Sequence, residues 1–141
     1  MNIIETDYWC LMLPDEWSAE QSDDVLLITD QDGIGELAVT TLVRASGAGE
    51  EITAPDIAKE ESPEILAWHA ADYGGFTGVT GQFEESGSVI TEWYLTYGDA
   101  LLYITYACDE EDDGLDAAAV DEILSTLVRG DALATLVTTR P

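Results

Sequence analysis

Lysine is almost missing from this sequence: Lys59 stands alone, and Arg44, Arg129 and Arg140 complete the basic set. Against these four stand 30 acidic residues, for a formal charge of −26. That balance excludes a nucleic-acid surface, whose affinity comes from phosphates neutralised by Lys and Arg. An anionic membrane surface is repelled for the same reason. Long apolar runs are missing too. The longest, Tyr8–Leu13, is too short for a membrane span or a signal core, and no basic start precedes it. The expected location is the cytoplasm.

Groups that carry chemistry are equally scarce. His69 is the only histidine, and Cys10 and Cys108 are the only cysteines. With no CxxC and no paired histidines there is no zinc motif. Phosphate-loop, dinucleotide, nucleophile-elbow and zinc-protease patterns are all missing. "GGFTGVTG" (74–81) has the glycines of a phosphate loop but opens no helix and lacks the Lys. No cofactor and no metal are expected. A Cys/His hydrolase would need His69 beside Cys10 or Cys108 with a carboxylate behind it. The two cysteines lie in apolar, strand-like runs and read as buried thiols.

One stretch invites a metal. In "DQDGIGEL" (30–37), Asp30, Asp32 and Gly35 fall where a calcium loop puts two ligands and its turn glycine. Position 5 would then be Ile34 and position 12 Thr41, and neither supplies the oxygens needed. The flanks "VLLIT" (25–29) and "ELAVTTLVR" (36–44) are strand-like, so the stretch reads as a hairpin turn.

What is present is a nearly half apolar chain, 46% by composition, long enough for one ordinary domain. "YWCLML" (8–13) reads as a first strand, and the hairpin supplies two more. "ITAPDIAKEE" (52–61) carries a helix start. Thr53 stands as N-cap, Asp56 completes an approximate capping box, and Ile52 with Ile57 forms a staple. Ser62-Pro63-Glu64 restarts the pattern, so a two-part helix is expected through about Ala71. "YGGFTGVTGQFEE" (73–85) is a strand whose glycines imply a bulge or the close approach of another backbone. "SVITEWYLTYGDALLYITYAC" (88–108) is a long hairpin around Gly98-Asp99, with Trp93, Tyr94, Tyr97, Tyr103 and Tyr106 available for cross-strand pairs. After the acid run "DEEDDG" comes an amphipathic helix. Asp116 is its N-cap, Val120, Ile123, Leu124, Leu127 and Val128 are its buried stripe, and Arg129-Gly130 its close. The expected fold is α+β: an antiparallel twisted sheet of about five to seven strands with helices packed on its faces. Residues 1–141 read as a single domain, with 130–141 a short C-terminal extension.

Three segments, "LPDEW" (Leu13–Trp17), "YITYAC" (Tyr103–Cys108) and "VDEILSTLVR" (Val120–Arg129), together with the element order from Tyr8 to Arg129, resemble the PsbP-like α/β/α sandwich family. That family includes a photosystem subunit, a Ran-binding import factor and DcrB-like adaptors of secreted effectors. The resemblance implies the sandwich fold, no shared catalytic set, and protein binding as the usual role. The charge and the apolar tail after Gly130 depart from it.

The functional expectation is a non-enzymatic, cytoplasmic protein-binding module. It would be an adaptor, chaperone or immunity-like partner of a basic or secreted effector protein. The candidate binding residues are Glu84 and Glu85, the run Asp109, Glu110, Glu111, Asp112 and Asp113, and, if one sheet face is open, Trp93 or Tyr94. With both faces covered, the two aromatics are core. A different class of explanation is an ordinary fold whose acidity suits high salt.

Overall fold

The computed structural model describes residues 2–43, 53–98 and 100–130. The loop after Arg44, Ile52 of the staple, Asp99 of the hairpin and the tail beyond Gly130 lie outside them. Seven strands form one antiparallel sheet: β3 (Trp17–Ser22), β4 (Val25–Asp30), β5 (Gly35–Val43), β6 (His69–Tyr73), β7 (Phe76–Glu85), β8 (Ser88–Tyr97) and β9 (Ala100–Asp109), in the spatial order 3-4-5-9-8-7-6. A second sheet has three strands, β1 (Asn2–Glu5), β2 (Trp9–Leu13) and β10 (Val128–Arg129), with β2 in the middle. The helices are α1 (Ala54–Glu61) and α2 (Ala117–Ser125). Among the described residues, no helix is long and apolar enough to cross a membrane.

Strand alternation gives the large sheet two different faces. One presents Ile28, Leu37, Val39, Phe76, Trp93, Leu95, Leu102 and Ile104 to a single core. The small sheet covers it with Trp9, Leu11 and Leu13, and α2 with Val120, Ile123 and Leu124; Leu127 follows the helix into the same core. Hydrogen bonds lock these covers. Trp9 Nε1 donates to Thr41 Oγ1 at 2.8 Å, tying β2 to β5. Thr126 donates to the Ile123 carbonyl at 2.6 Å and accepts from the Met12 amide at 2.9 Å, ending α2 against β2. The opposite face carries a smaller cluster, Ala54 and Ala58 of α1 on Tyr94, with Ile57, Trp68, Val79, Leu101 and Tyr103 at its rim.

Several expectations are corrected. The first predicted strand stands outside the main sheet, because Trp9, Leu11 and Leu13 all point down onto that sheet's core. The helix does not continue to Ala71. It stops at Glu61, residues 62–68 run irregularly over the α1 face, and His69–Tyr73 is an edge strand. The stripe of the second helix ends at Leu124. Leu127 is buried beyond the helix, and Val128 is 51% exposed in β10. Arg129 does not close the helix; its guanidinium donates to the Tyr97 hydroxyl at 2.6 Å and lies 5.0 Å over that ring.

The glycine-rich strand behaves as its composition implies. A Cβ on Gly81 would sit 2.5 Å from Ile65 Cγ2, and one on Gly78 would meet the Tyr94 carbonyl. The bare backbone of β7 is what lets α1 and residues 62–68 lie close on that face.

Candidate functional site

The register of the large sheet gathers the acid. Glu85 pairs with Ser88 and Ser88 with Asp109, so Glu84 and Glu85 end β7 and Asp109 ends β9 on either side of Ser88, two strand spacings or about 10 Å apart. Past Asp109 the chain turns in a 3₁₀ segment, Glu110–Asp112, and the Glu110 amide donates to the Gly87 carbonyl at 2.9 Å. That bond folds Glu110, Glu111, Asp112 and Asp113 over the β7–β8 turn. All seven acids lie on the same end of the sheet, and all but the half-buried Asp112 are exposed.

The β4–β5 turn stands at the same end, since Gly35 pairs with Cys108. Its aspartates serve the turn: Asp30 Oδ1 accepts from the Asp32 amide at 2.7 Å, and the Asp30 carbonyl accepts from Gly33 at 3.0 Å. Glu16, Asp30, Asp32 and Glu122 of α2 surround a hollow of about 400 Å³ beside it. No group of three or more His, Cys, Asp or Glu side chains among the described residues is placed to hold a metal ion. Of the two described cations, Lys59 lies in α1 and Arg129 is held by Tyr97, at the far end of β8.

This acid is felt by the groups beneath it. Burial raises the Cys108 thiol pKa, and Asp113, Asp112, Asp116 and Asp109 push it further up. Tyr106 on the same strand is raised by burial and by its hydrogen bond to Asp116, whose Oδ2 accepts at 2.5 Å. Asp116 therefore precedes α2 without capping it; its carboxylate is spent on the phenol. A thiol held protonated is a poor nucleophile. His69, on the edge strand, pairs with Thr80, which pairs with Trp93 and then Ile104. It therefore stands three strands from β9, about 14 Å to the side of Cys108 and further along the sheet. Cys10 is in the other sheet, with no disulfide to Cys108. The Cys108–His69 dyad is not assembled.

Trp93 and Tyr94 are not surface anchors. Trp93 is 7% exposed under the small sheet and α2, and Tyr94 is 4% exposed under α1. Both faces are covered at these positions, so the condition for an aromatic docking face is not met. Tyr94 instead belongs to a buried polar cluster that sequence reasoning missed. Glu92 Oε1 accepts from Ser62 Oγ, Glu92 Oε2 accepts from the Tyr103 hydroxyl, and Ser62 Oγ and Tyr94 Oη share a 2.8 Å hydrogen bond. Burial, with Glu92 adjacent, pushes the Tyr103 phenol well above its ordinary range. The signal was an acid at position 92 among strand residues, inside "VITEWYL", with no lysine nearby to solvate it.

No protein-family model matches the chain, and no curated protein matches it in sequence. Solved structures do match. The cyanobacterial PsbP protein of Synechocystis (CyanoP) aligns over 91% of this chain and 91% of its own, at 14% identity and a TM-score of 0.64. The Saccharomyces cerevisiae Ran-binding protein Mog1p aligns over 96% of this chain and 98% of its own, at 12% identity and a TM-score of 0.50. A Bacteroides thetaiotaomicron protein aligns over 86% of this chain at 16% identity and a TM-score of 0.62, and this chain spans 44% of its length. At such identities the likeness carries the fold: the chain has a PsbP-like α+β sandwich.

Proposed function

We propose that this chain is a non-enzymatic, cytoplasmic protein-binding module of the adaptor, chaperone or immunity type. In this reading it takes a basic partner, such as a secreted effector, on the acidic end of its main sheet. One observation carries it. Glu84 and Glu85, and Asp109 through Asp113, are separate clusters in sequence that the strand register and the Glu110–Gly87 bond gather at one end of the sheet. Ordinary surfaces intersperse the two signs. A Ran-binding protein among the structural neighbours supports a binding role for the fold. The test is recovery of a partner from native lysate at low salt. Glu84→Gln, Glu85→Gln, Glu110→Gln and Glu111→Gln combined should then slow association and flatten its salt dependence. A partner bound equally by the neutralised chain sinks the assignment of this end.

A second reading, solvent adaptation, is favoured by the acid found elsewhere. Glu20, Asp23 and Asp24 near the opposite turn, Glu60 and Glu61 on α1, and Asp121 and Glu122 on α2 are all exposed. A melting temperature that climbs steeply toward molar KCl supports that reading. An indifferent melt leaves the partner surface as the explanation.

A further inference from the structure

Along its outer half β7 is paired on one side only, by β8, among the described residues. β6 covers β7 only as far as the pair His69↔Thr80. Upstream of His69 the chain leaves the line of β6 because its side chains are needed on the α1 face. Ile65 packs over Gly81, and Trp68 stands edge-on to Tyr94 at 5.9 Å. Among the described residues, no strand pairs with the free side of Gly81–Glu85.

Two hairpins fix which backbone groups that free side presents. Tyr73↔Phe76 and Glu85↔Ser88 each close a two-residue turn, so each is a hydrogen-bonded pair. Alternation then directs even-numbered residues of β7 toward β6 and odd-numbered ones toward β8. The N–H and C=O groups of Gln82 and Glu84 therefore face outward, past the end of β6. Lys, Pro and a covering helix, three of the usual edge defences, are missing from 81–85; the charges there, Glu84 and Glu85, repel acidic strands and not basic ones. A groove of about 680 Å³ follows this edge, lined by Leu66, Phe83, Thr91, Glu64 and Glu84. Leu66 is 94% exposed, on the same side as Phe83. Gln82 donates to Thr91 at 3.0 Å on the opposite side, where Glu84 also lies.

We propose that Gly81–Glu85 is a strand-addition slot that takes an extended cationic segment of the partner. This deepens the basic-partner reading and rests on it. Charge selects the occupant. Glu64, Glu84 and Glu85 repel a second copy of a chain with net charge −26 and attract Lys or Arg. The two sides of the slot set the pattern of that segment: apolar side chains toward Leu66 and Phe83, basic ones toward Glu84. Backbone hydrogen bonds from Gln82 and Glu84 supply the register.

The probe is a short capped peptide alternating valine and lysine, studied with the full chain at low salt. Binding should slow amide exchange at Gln82 and Glu84 by about tenfold. N-methylation of alternate peptide residues, which keeps the charge, should weaken binding by about tenfold through lost backbone bonds. Gln82→Pro removes an outward N–H that pairs with no described strand, so it should weaken the peptide similarly, at a melting temperature matched by Gln82→Ala, which loses the same Thr91 bond and keeps the N–H. If both peptides bind equally and the two amides exchange as in the free protein, charge alone holds them. The slot is then wrong while the acidic reading stands. If a basic protein partner binds but neither peptide does, the slot again fails alone; if nothing basic binds, both readings fail. Self-association that Gln82→Pro abolishes would make the occupant a second copy and overturn the proposal.

Discussion

The two faces of the large sheet are built on opposite physical terms. The face under α2 and the small sheet is dry and broad: Leu95, Leu102 and Leu124 are each 0% exposed, and the cluster draws on both sheets and one helix. The face under α1 is thin. Its helix contributes two buried alanines, and its centre is a carboxylate bonded to the Tyr103 phenol and to Ser62, which in turn holds the Tyr94 phenol. The first face gains stability from apolar area, which grows with every methylene removed from water. The second gains little from area. It instead fixes where α1 must end, because Ser62 satisfies Glu92 only if the helix stops there. A buried carboxylate is expensive unless its oxygens are occupied, and here each Glu92 oxygen has a donor. Even so the cover is imperfect: Trp68 Nε1 is buried there without a hydrogen-bond partner in the described structure.

The largest expected effect lies on the dry face. Leu102→Ala should cost about 2–5 kcal/mol, whereas Leu101→Ala, on the α1 face of the same strand and half-buried, should cost well under half as much. Urea midpoints measure both. Equal losses would erase the contrast between the faces.

Next is Tyr103→Phe, which strips a donor from Glu92 and should cost about 1.5–3 kcal/mol at neutral pH. The same variant tests the pH limb. Tyr94, Tyr103, Tyr106 and Cys108 all have folded-state pKa values raised above their ordinary ones, with burial the largest cause. The folded state thus holds more protons than the unfolded chain once those groups begin to ionise. Their contribution to stability should be complete below about pH 8.5, begin to fall as pH passes the unfolded thiol and phenol values, about 8.5 to 10, and go on falling toward the raised folded ones. Tyr103→Phe removes one contributor, so its alkaline limb should be shallower than that of the parent. An unchanged limb would show that the phenol gains nothing from its burial.

A more local effect is expected of Gly81→Ala. Its Cβ meets the movable tip of Ile65 at 2.5 Å but also Trp68 at 3.0 Å, so a cost of about 1–3 kcal/mol follows from displacing the cover. Faster amide exchange should be confined to residues 62–68 and α1. Loosening of α2 as well would mean that the two faces are coupled.

How much was legible follows the same division. The β8–β9 hairpin is in the sequence, because alternation with β-branched and aromatic residues can be satisfied only by a pleated strand. Tyr94 and Tyr103 meet across it at 4.9 Å. The helix at 117–125 is there for the same reason, in its period of burial. β3 was harder to see. "WSAEQS" has no β-branched residue, and only the two-residue Asp23–Asp24 turn before Val25 marks it, with Asp23 at φ +52°. Residues 65–71 read as helix from the helix-start signal at Ser62-Pro63-Glu64, yet Ile65 packs over the bare backbone of Gly81 and the chain there is irregular.

By itself, the sequence determined the charge, the lack of catalytic and nucleic-acid chemistry motifs, and every element whose periodicity is strong, because these are properties of composition and local pattern. Tertiary structure alone decided which acids stand together, that Trp93 and Tyr94 are both core, and that Glu92 is buried. Each depends on strand register. Register is set by the fit of whole faces to one another, which no local stretch of chain encodes.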